Sequence, residues 1–587
     1  MSPPLPAIVP PDPRGAARLP RVGQSPLLYP EYGVVSAFAD AGVDVAAAAP
    51  PISSKAPSPP ANAVIGQVTP PSVRLDKAAE AARRAGDAQL ASYLEALQQS
   101  DKFYSSFMLP GAPAQTTRRR TTIPAGALRQ IIDMNLAEEL PGTSPPPSFV
   151  SKLKLVPKRA AESHLWRVIL AACEVNDASR PPPRAPIPSL REVVDQVLVR
   201  PWAVVADLRS WFFQIPLPSG VCRDVFAFQV RGRTYAFTRL PMGWTWAPYL
   251  ATALAQAIWR NGAPGAGYCT VWVDDSIISA ASRDEAESHL AGVRAECDRV
   301  GAIIKHASIG QQFTYVGMDF ELDNQRARLT SDFVHGMDVA VRAALAPGAT
   351  LHAAWSAAGA AIWSCYAMRW PYAPFSSLLA DIADAHGRDP NPDGLFDMSS
   401  SNAARLQAIA RHVGSRPWYT RLSTPCLSPP VVVAADASPI GIGVVVHAAT
   451  EHAIPHPADT PQSHVIQQRA EAVAVCAALA DVSPSQAPPG STVTVLTDNS
   501  GVAWRLARWS ATPALQDAVA WVWKYAAERQ WRLVVGLVPG DRMPADRPSR
   551  SLVPYFVISP QDLSALARSA FYPPGAGSVV PTALPFV

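Results

Sequence analysis

The chain has 587 residues, of which 48% are apolar, so it is long enough to form about three or four globular domains. A formal net charge of +4 is too small to indicate a nucleic-acid partner by itself, and any basic contact surface must be local. None of the seven cysteines lies in a Cys-x-x-Cys pair, which argues against a zinc site and a disulfide framework. With no signal-like N-terminus and no apolar run of membrane length, we expect an intracellular protein of the cytoplasm or nucleus without a membrane partner.

The N-terminal quarter of the chain divides into two parts. Residues 1–75 are rich in Pro, Ala and Ser, bury too little apolar surface to offset their ordering entropy, and are predicted to be disordered. Residues 76–147 are predicted to form a helical extension, in which the Ala-rich patch Lys77–Gln99 carries its charges on one side. The triplet Arg118–Arg120 fits either a solvated surface or a phosphate contact.

The remaining residues alternate between strand and helix patterns. Short apolar strands and helices alternate over 148–323, helices fill 324–428, and a second α/β pattern covers 429–555. Within the helical part, the apolar stretch Ala353–Met368 is short for a membrane span and favours a buried helix. Residues 556–587 form a tail rich in Pro and Gly. These patterns predict a multidomain protein of the α/β and α+β classes.

Two adjacent carboxylates, Asp274 and Asp275, stand between the apolar β-type runs Tyr268–Val273 and Ser276–Ser279. Burying unpaired carboxylates costs several kcal/mol, so they either face water in a hairpin turn or bind a divalent cation. Asp207 ends another apolar strand 67 residues earlier (274 − 207), which leaves room for a helix and further strands. Side by side in one sheet, the two strands could hold two Mg²⁺ ions about 3.5–4 Å apart, as in-line phosphoryl transfer requires.

Four short segments resemble, in their order and spacing, the motifs of retroelement reverse transcriptases. They are Asp207–Pro216 (DLRSWFFQIP), Leu240–Pro248, Val273–Asp275 and Phe313–Gly317. They are similar, in turn, to the family's first aspartate strand, its template- and nucleotide-binding turn, its paired-aspartate hairpin and its primer-grip strand pair. The resemblance extends from about Phe149 to Phe320. It implies a right-hand polymerase in which residues 148–323 form the fingers and palm and residues 324–428 form the thumb or connection.

The resemblance also implies roles for individual residues. Asp207, Asp274 and Asp275 would be the catalytic metal ligands, and two Mg²⁺ ions, or Mn²⁺ in their place, would activate the primer 3′-hydroxyl and neutralise the triphosphate. Phe212 is either an ordinary core aromatic or the family's steric gate, which would clash with a ribose 2′-hydroxyl. The other candidates are the substrate-binding residues Lys158, Arg167, Gln214, Met242 and Gly243 and the primer-grip residues Phe313, Tyr315 and Gly317.

Some of these positions are less well defined. Lys154 is the second choice after Lys158, and both also fit a solvated basic loop. Met242 stands where many relatives carry Gln or Phe. The lysine that would help to protonate pyrophosphate has Lys305 as its nearest candidate, which lies early relative to Gly301.

Four further carboxylates follow in the order strand, helix, strand and terminal segment: Asp436, Glu471, Asp498 and Asp546. The gaps between them are 35, 27 and 48 residues (471 − 436, 498 − 471 and 546 − 498). The order resembles the Asp-Glu-Asp-Asp set of ribonuclease H folds, so residues 429–555 would form an RNase H-like domain. Each carboxylate would be a catalytic metal ligand. Of the two metal ions implied, one would activate water to attack an RNA phosphate and the other would stabilise the leaving oxygen.

The C-terminal motif departs from one family pattern. Many RNases H carry a histidine before the last aspartate, and the segment Val538–Pro544 has none. Its form looks more like that of retrotransposon enzymes than retroviral ones. No protease or integrase pattern is found, which favours a stand-alone pol product, with elements of the DIRS or VIPER kind as one candidate subfamily.

The leading interpretation is an RNA-directed DNA polymerase of a retroelement, which extends a primer with dNTPs and removes the copied RNA by RNase H cleavage. Its partners would be an RNA template, a DNA primer, RNA–DNA hybrid and dNTPs. The alternatives are a non-catalytic nucleic-acid-binding protein on a reverse transcriptase fold and a host-domesticated polymerase. All seven candidate carboxylates are present, which argues against the first. An RNase H domain argues against a telomerase-type enzyme.

Overall fold

The described residues of this computed structural model form four β-sheets with helices packed around them, which confirms the predicted mixture of α/β and α+β classes. The residues that the structure describes are 59–60, 63–66, 72–111, 120–157, 165–188, 190–389, 391–420, 431–446, 450–455, 464–551 and 560–570. The predictions for residues 1–58 and for the Arg118–Arg119 pair lie outside these residues.

The strands of the first 420 residues are short and mostly antiparallel. They are β1 (Val64–Ile65), β2 (Arg120–Thr121), β3 (Ala137–Glu139), β4 (Val150–Pro157), β5 (Leu165–Ala171), β6 (Trp202–Leu208), β7 (Ala227–Val230), β8 (Arg233–Phe237), β9 (Tyr268–Trp272), β10 (Asp275–Ala280), β11 (Ile304–Gly310), β12 (Gln312–Tyr315), β13 (Met318–Glu321), β14 (Arg326–Leu329) and β15 (Tyr419–Thr420).

The helices of the same part vary from one turn to five. They are α1 (Leu75–Arg84), α2 (Ala88–Ala96), α3 (Ser100–Phe107), α4 (Ala125–Asp133), α5 (Cys173–Ala178), α6 (Leu190–Val197), α7 (Trp211–Gln214), α8 (Ser219–Val225), α9 (Ala247–Gly262), α10 (Arg283–Val300), α11 (Ser331–Leu345), α12 (Leu351–Met368), α13 (Ser376–Arg388) and α14 (Ser400–Gly414).

The N-terminal helices differ from the single patch predicted over Lys77–Gln99. A positive φ of 83° at Gly86 follows the end of α1. Asp87 then caps α2 by accepting a hydrogen bond from Leu90 N at 2.8 Å. The predicted disorder up to residue 75 also extends too far, because Val64–Ile65 pair as a parallel strand with β5.

The N-terminal helices share one hydrophobic core with the strands that follow them. Phe103 stacks on Trp244 with ring centroids 5.4 Å apart, and Phe107 lies edge-on to Trp246 at 4.8 Å. On the other side, the side-chain amide of Asn261 donates to Ala81 O at 2.8 Å. These helices therefore form one packed unit with the strands that follow them.

A seven-stranded sheet runs in the order β1-β5-β4-β7-β8-β3, with β2 beside β7. A second, four-stranded sheet runs β11-β6-β10-β9 and is antiparallel throughout. Helices α9 and α10 pack against it, and its buried apolar side chains fix the register because one face must stay inside. This second sheet carries the paired aspartates.

A third sheet, β12-β13-β14-β15, packs on the helices α11 to α14. The apolar stretch Ala353–Met368 lies within α12 and is largely buried among them, as predicted. No helix of the described residues is both long and apolar enough to cross a membrane.

The C-terminal part is a separate five-stranded sheet in the order β18-β17-β16-β19-β20. The first three strands are antiparallel neighbours, and β16, β19 and β20 are parallel. Its elements are β16 (Val431–Ala437), β17 (Gly441–Val446), β18 (Thr450–Pro455), α15 (His464–Ala480), β19 (Thr492–Thr497), α16 (Ser500–Arg508), α17 (Gln516–Glu528), β20 (Arg532–Leu537), α18 (Asp546–Ser551) and α19 (Pro560–Ser569).

One C-terminal helix was not predicted. The sequence interpretation treated 556–587 as a tail, but α19 lies within it and buries Leu563 and Ala567 against the sheet. The prolines and glycines that flank this helix, at 571–587, lie outside the described residues.

Candidate active sites

The first candidate site is the tip of the hairpin formed by β9 and β10. Asp275 lies directly opposite Asp207 in the antiparallel pairing of β10 with β6. The backbone N–H of Leu208 donates to Asp274 O at 3.1 Å, which holds the tip of the hairpin against β6. The turn itself needs a positive φ of 62° at Val273, an uncommon conformation for a β-branched residue. The structure therefore brings together the three carboxylates that the sequence indicated.

The electrostatics of this tip favour a bound cation. Burial, together with the negative charges of Asp274 and Asp207, raises the pKa of Asp275 to about 7. The positive charges of Lys305 and Arg167 act in the opposite direction. A carboxyl group with such a pKa is only partly ionised near neutral pH unless further positive charge compensates. The oxygen donors of this cluster fit a hard divalent cation such as Mg²⁺.

Lys305 occupies a β-bulge beside the site. The pairing of β11 with β6 shifts between Ile304 and His306, so Lys305 is the extra residue of the bulge. Its Nζ lies 3.0 Å from Asp207 Oδ2. Since the lysine side chain is 55% exposed, this ion pair adds little stability and leaves the ammonium accessible to a substrate.

Of the two residues expected to bind the triphosphate, the structure describes Arg167. Arg167 is exposed on β5, opposite Val156 of β4, and lies close enough to the site to lower the pKa of Asp275. Lys158 lies outside the described residues. Its alternative, Lys154, is on β4 opposite Ile169.

The turn at Leu240–Pro248 is fixed to β5 by close backbone contacts. Leu170 N donates to Met242 O at 2.9 Å. A Cβ added to Gly243, where φ is +116°, would lie 1.9 Å from Leu170 O, so this position requires glycine. Asn176 holds the turn from the other side, because its amide donates to Gly243 O at 3.0 Å and accepts from Thr245 N at 2.8 Å. Asn176 therefore holds this turn in place, a role that the sequence analysis did not assign.

The interpretation of Gln214 as a substrate-binding residue does not fit its contacts. Its side chain is fully buried. The amide nitrogen donates to Arg209 O and to Ile303 O, and the amide oxygen accepts from Ile303 N at 2.8 Å and from Ser72 Oγ at 3.1 Å. No sequence signal pointed to this role, since Ser72 is 142 residues away. Gln214 therefore joins three chain segments behind the site and acts as a positioning residue.

Two aromatic positions near the site have distinct environments. Phe212 is half-buried and packs between two hydrophobic cores, the one that includes the N-terminal helices and the one that includes α11 to α14. Tyr315 is buried, and its hydroxyl donates to Asp275 O at 3.3 Å, which links the β12 strand to the hairpin. Phe313 stacks on Phe320 with centroids 5.2 Å apart. Gly317 has a φ of 80° in the turn between β12 and β13.

The second candidate site lies at the C-terminal ends of β16 and β19 in the C-terminal sheet, beside α15. Asp436 near the end of β16, Glu471 on α15 and Asp498 just after β19 each offer a carboxylate oxygen, and these oxygens lie within 4.8 Å of one another. Asp436 and Glu471 are only 4% and 5% exposed. Three buried or half-buried carboxylates at this spacing have the donor chemistry of a Mg²⁺ site.

The fourth predicted ligand, Asp546, begins α18 beside this cluster. Its negative charge raises the pKa values of Asp436 and Asp498, although burial is the larger cause for both. Ser549 on the same helix donates to Asp436 Oδ2 at 2.6 Å and fixes that carboxylate. Helix α18 can approach β17 this closely because Gly443 has no side chain. A Cβ at this position would lie 2.1 Å from Ala545 O. The sequence analysis did not assign this role to Ser549.

Without a divalent cation, the stability of this C-terminal domain is expected to fall as the pH rises. Burial, with the charges of Asp436 and Asp498, raises the pKa of Glu471 from 4.5 to about 8. Between these two values the folded state binds more protons than the unfolded state, so the free energy of unfolding decreases with rising pH. Thermal unfolding in a chelator at both ends of this window measures the effect.

The substitution Glu471→Gln provides the matched variant for this prediction. It should flatten the pH dependence of Tm, and Glu528→Gln, on the exposed end of α17, should leave it unchanged. Added Mg²⁺ should raise Tm most at the alkaline end. If the Tm of the wild-type protein in a chelator did not change between these pH values, the raised pKa of Glu471 would be contradicted.

Residues 128–320 match a family model described as "Reverse transcriptase (RNA-dependent DNA polymerase)". The Retrovirus-related Pol polyprotein from transposon 412 of Drosophila melanogaster is 27% identical over 152 residues, which are 25% of this chain and 12% of that protein. Residues 128–320 are therefore similar to a reverse transcriptase domain, and the relative that matches is a retroelement polyprotein. This chain thus aligns with about one eighth of the length of the polyprotein.

Two solved structures are also similar to the chain. The foamy viral protease-reverse transcriptase dRH in complex with double-stranded DNA is 17% identical, with a TM-score of 0.45 over 80% of this chain and 83% of that one. The foamy viral protease-reverse transcriptase in complex with RNA/DNA hybrid is 18% identical, with a TM-score of 0.44 over 84% of this chain and 66% of that one.

The residues that match the reverse transcriptase family model contain the whole first site. Arg167, Asp207, the Asp274–Asp275 pair, Lys305 and the Phe313–Gly317 turn all lie between residues 128 and 320. The second cluster, from Asp436 to Asp546, lies beyond it.

Proposed function

We propose that this chain is an RNA-directed DNA polymerase of a retroelement that also cleaves the RNA strand of RNA–DNA hybrids. The observation that carries the polymerase is the pairing of Asp207 with Asp275 at the hairpin tip of the reverse transcriptase domain. The observation that carries the nuclease is the convergence of Asp436, Glu471 and Asp498. We keep the DIRS and VIPER elements as a candidate subfamily.

The proposed domain roles follow from these two sites. Residues 148–323 would serve as fingers and palm, 324–428 as thumb or connection, and 429–555 as an RNase H-like domain. The shared hydrophobic core supports adding the helices of 75–107 to the polymerase part.

In the polymerase, Asp207, Asp274 and Asp275 would hold two Mg²⁺ ions, or Mn²⁺ in their place, which supply charge neutralisation and activation of the primer 3′-hydroxyl. Arg167 projects from the neighbouring sheet and would bind the triphosphate of an incoming dNTP. The ammonium of Lys305, whose Nζ lies 3.0 Å from Asp207 Oδ2, would donate a proton to the departing pyrophosphate. Phe313, Tyr315 and Gly317 would hold the primer end in register with the hairpin.

In the nuclease, Asp436, Glu471, Asp498 and Asp546 would hold the metal ions that activate water for attack on an RNA phosphate. Ser549 orients one oxygen of Asp436. Gly540 allows the backbone to pass close to Asp498, since a Cβ there would lie 2.9 Å from its Oδ2. The hydrogen bond from Ser549 holds the Asp436 carboxylate in place before a cation or substrate binds.

The assay that tests both activities uses the purified full chain. Extension of an oligo(dT) primer on poly(rA) with dTTP should occur with Mg²⁺ and stop in a chelator. Cleavage of a labelled RNA strand annealed to DNA should show the same dependence, whereas the single-stranded RNA stays intact. A chain that extends no primer is not a polymerase, and one that leaves the hybrid whole is not an RNase H.

Phe212 is the residue that we propose excludes ribonucleotides. Phe212→Ala is expected to raise the kcat/KM for UTP relative to dTTP by at least about tenfold, because removal of the ring opens space for the 2′-hydroxyl. The ratio compares two substrates with one enzyme preparation, so a general loss of folded protein does not alter it. Unchanged selectivity would assign Phe212 to the core alone.

The alternative function is nucleic-acid binding without catalysis by a protein that retains the reverse transcriptase fold. It predicts binding of primer–template and hybrid with no extension or cleavage, and the same assays separate it from the enzyme.

A further inference from the structure

Residues Ser72–Arg74 form a short strap that contacts two segments next to the first candidate site. The strap lies upstream of residues 128–320, the part that matches the family model, and leads directly into α1. Its two contacts are Gln214, at the end of α7, and the loop Gly301–Ile303, which joins α10 to β11. The same loop leads into the β-bulge at Lys305, so the strap touches the segment that places this lysine.

On one side, the strap is hydrogen-bonded to Gln214. The N–H groups of Ser72 and Val73 both donate to Gln214 O, at 3.2 and 3.1 Å. The hydroxyl of Ser72 donates to the side-chain oxygen of the same glutamine at 3.1 Å. That oxygen also accepts from Ile303 N at 2.8 Å, so one buried side chain links the strap to the loop.

On the other side, the strap contacts the end of α10 and the loop directly. Arg74 N donates to Val300 O at 2.8 Å, and the guanidinium of Arg74 donates to Asp298 O at 2.7 Å. Gly301 has a φ of +87°, and a Cβ at this position would lie 2.1 Å from Ser72 O. The strap can therefore lie this close to the loop only because residue 301 is glycine.

Helix α1, which follows the strap, is fixed to the same helix α10. Arg84 of α1 forms an ion pair with the buried carboxylate of Glu296. Arg299 donates to the other oxygen of Glu296 at 3.0 Å and to Glu80 of α1 at 3.2 Å. Removal of one partner from a buried ion pair is strongly destabilising, so this network holds α1, and with it the downstream end of the strap, in place.

The loop that the strap contacts reaches Lys305 within two residues. Ile303 O accepts from the side-chain amide of Gln214 at 3.1 Å and from Arg209 N at 3.0 Å. The bulge follows at Lys305, whose Nζ lies 3.0 Å from Asp207 Oδ2. A shift of the loop would therefore move the lysine relative to this carboxylate.

We propose that the strap Ser72–Arg74 is a positioning element for Lys305, which it places beside Asp207 by fixing the loop Gly301–Ile303. This rests on the proposed polymerase function, which gives Lys305 its role at the departing pyrophosphate. Residues 128–320 are then insufficient for full activity, because part of the support for their site lies upstream of them. Displacement of the strap should slow nucleotide addition without weakening the binding of the dNTP.

The substitution Gly301→Ala displaces the strap, because the added Cβ and Ser72 O cannot both keep their positions. Gly86→Ala is the matched control, since Gly86 also follows a helix and has a φ of +83°, but a Cβ there would meet nothing within 4 Å. Single-turnover incorporation of dTTP on primed poly(rA) should be at least about tenfold slower in Gly301→Ala, with the dTTP concentration at half-maximal rate unchanged. Gly86→Ala should incorporate dTTP at the wild-type rate.

A double-mutant cycle shows whether the strap acts through the lysine. Lys305→Met alone should slow incorporation by about a hundredfold. Addition of Gly301→Ala to Lys305→Met should slow it no further, because both changes remove the same interaction. Effects that multiply would overturn the proposal, as would a wild-type rate in either Gly301→Ala or Lys305→Met.

A second pair of variants serves if Gly301→Ala does not fold. Gln214→Leu removes the side-chain bonds to Ser72 and Ile303. Gln130→Leu is its control, because Gln130 makes comparable side-chain bonds to Ile65 N and Ala63 O at strand β1. The effect of Gln214→Leu on incorporation should disappear in the Lys305→Met background, and an effect that persists there would overturn the proposal.

Amide hydrogen exchange tests the strap without catalysis. The peptide covering Gly301–Lys305 should exchange slowly in wild type and in Gly86→Ala, and faster in Gly301→Ala, since Ile303 N–H is bonded to Gln214. Rapid exchange in wild type, or unchanged exchange in Gly301→Ala, would overturn the proposal. If wild type extended no primer, the polymerase function would fail, and hydrogen exchange would still decide whether the strap fixes the loop.

Discussion

Conversion of both Asp274 and Asp275 to asparagine is expected to reduce primer extension by about a thousandfold or more. The two carboxylates stand with Asp207 at one hairpin tip, and an amide cannot supply the charge that holds a divalent cation. Loss of about 4 kcal/mol of metal-dependent transition-state stabilisation corresponds to about a thousandfold in rate. Steady-state extension of oligo(dT) on poly(rA) measures it, with cleavage of RNA–DNA hybrid as the internal comparison.

The same variant is expected to fold at least as well as wild type when no metal is present. Burial and the neighbouring carboxylates raise the pKa of Asp275 to about 7. At a pH above 7, ionisation of this buried carboxyl group therefore destabilises the wild-type hairpin, and the double variant avoids this cost. Its Tm in a chelator should therefore equal or exceed that of wild type. Asp298→Asn, at an exposed position on α10, should retain full activity. An active double variant would remove the hairpin from the proposed mechanism.

Asp498→Asn is expected to reduce hybrid cleavage by about a hundredfold or more while primer extension stays normal. Asp498 contributes one of the three carboxylate oxygens that cluster within 4.8 Å, and loss of about 3 kcal/mol of stabilisation gives a rate change of this size. The experiment uses the full chain, one preparation and both assays. Selective loss of cleavage is the result that assigns the two activities to two sites.

Asp481→Asn is the matched control, since it makes the same chemical change at an exposed position just after α15. It should leave cleavage unaffected. If Asp498→Asn cut hybrid as fast as wild type, the metal cluster of the C-terminal sheet would have no part in cleavage. If instead both activities fell together, the variant would be damaged in folding, and Tm would reveal it.

The positions of the candidate carboxylates could be predicted because strand patterns are local. A run of apolar β-type residues that ends in aspartate identifies a strand tip, and tips of neighbouring strands meet at one edge of a sheet. That reasoning indicated Asp207 beside the Asp274–Asp275 pair, whereas the resemblance to ribonuclease H folds grouped Asp436, Glu471 and Asp498. The structure brings each set together. The roles of these residues in catalysis stay predictions.

The residues that support the sites could not be predicted, because their partners are distant in sequence. Gln214 contacts Ser72 and Ile303, which lie 142 and 89 residues away, and Asn176 reaches the turn at Gly243. Hydrogen bonds of this kind leave no periodic signal in the chain. The position of Gln214 within the reverse transcriptase motif suggested that it binds substrate, whereas its contacts show that it stabilises the fold.

The aromatic contacts between the N-terminal helices and the turn at Leu240–Pro248 determine which fragments of this protein can be expected to fold. A recombinant fragment that started at residue 128, where the family match begins, would lack Phe103 and Phe107 and would leave Trp244 and Trp246 without the rings that cover them. Newly exposed tryptophans of this size favour aggregation over solubility. A fragment intended for crystallisation or inhibitor screening should therefore begin before Ser72.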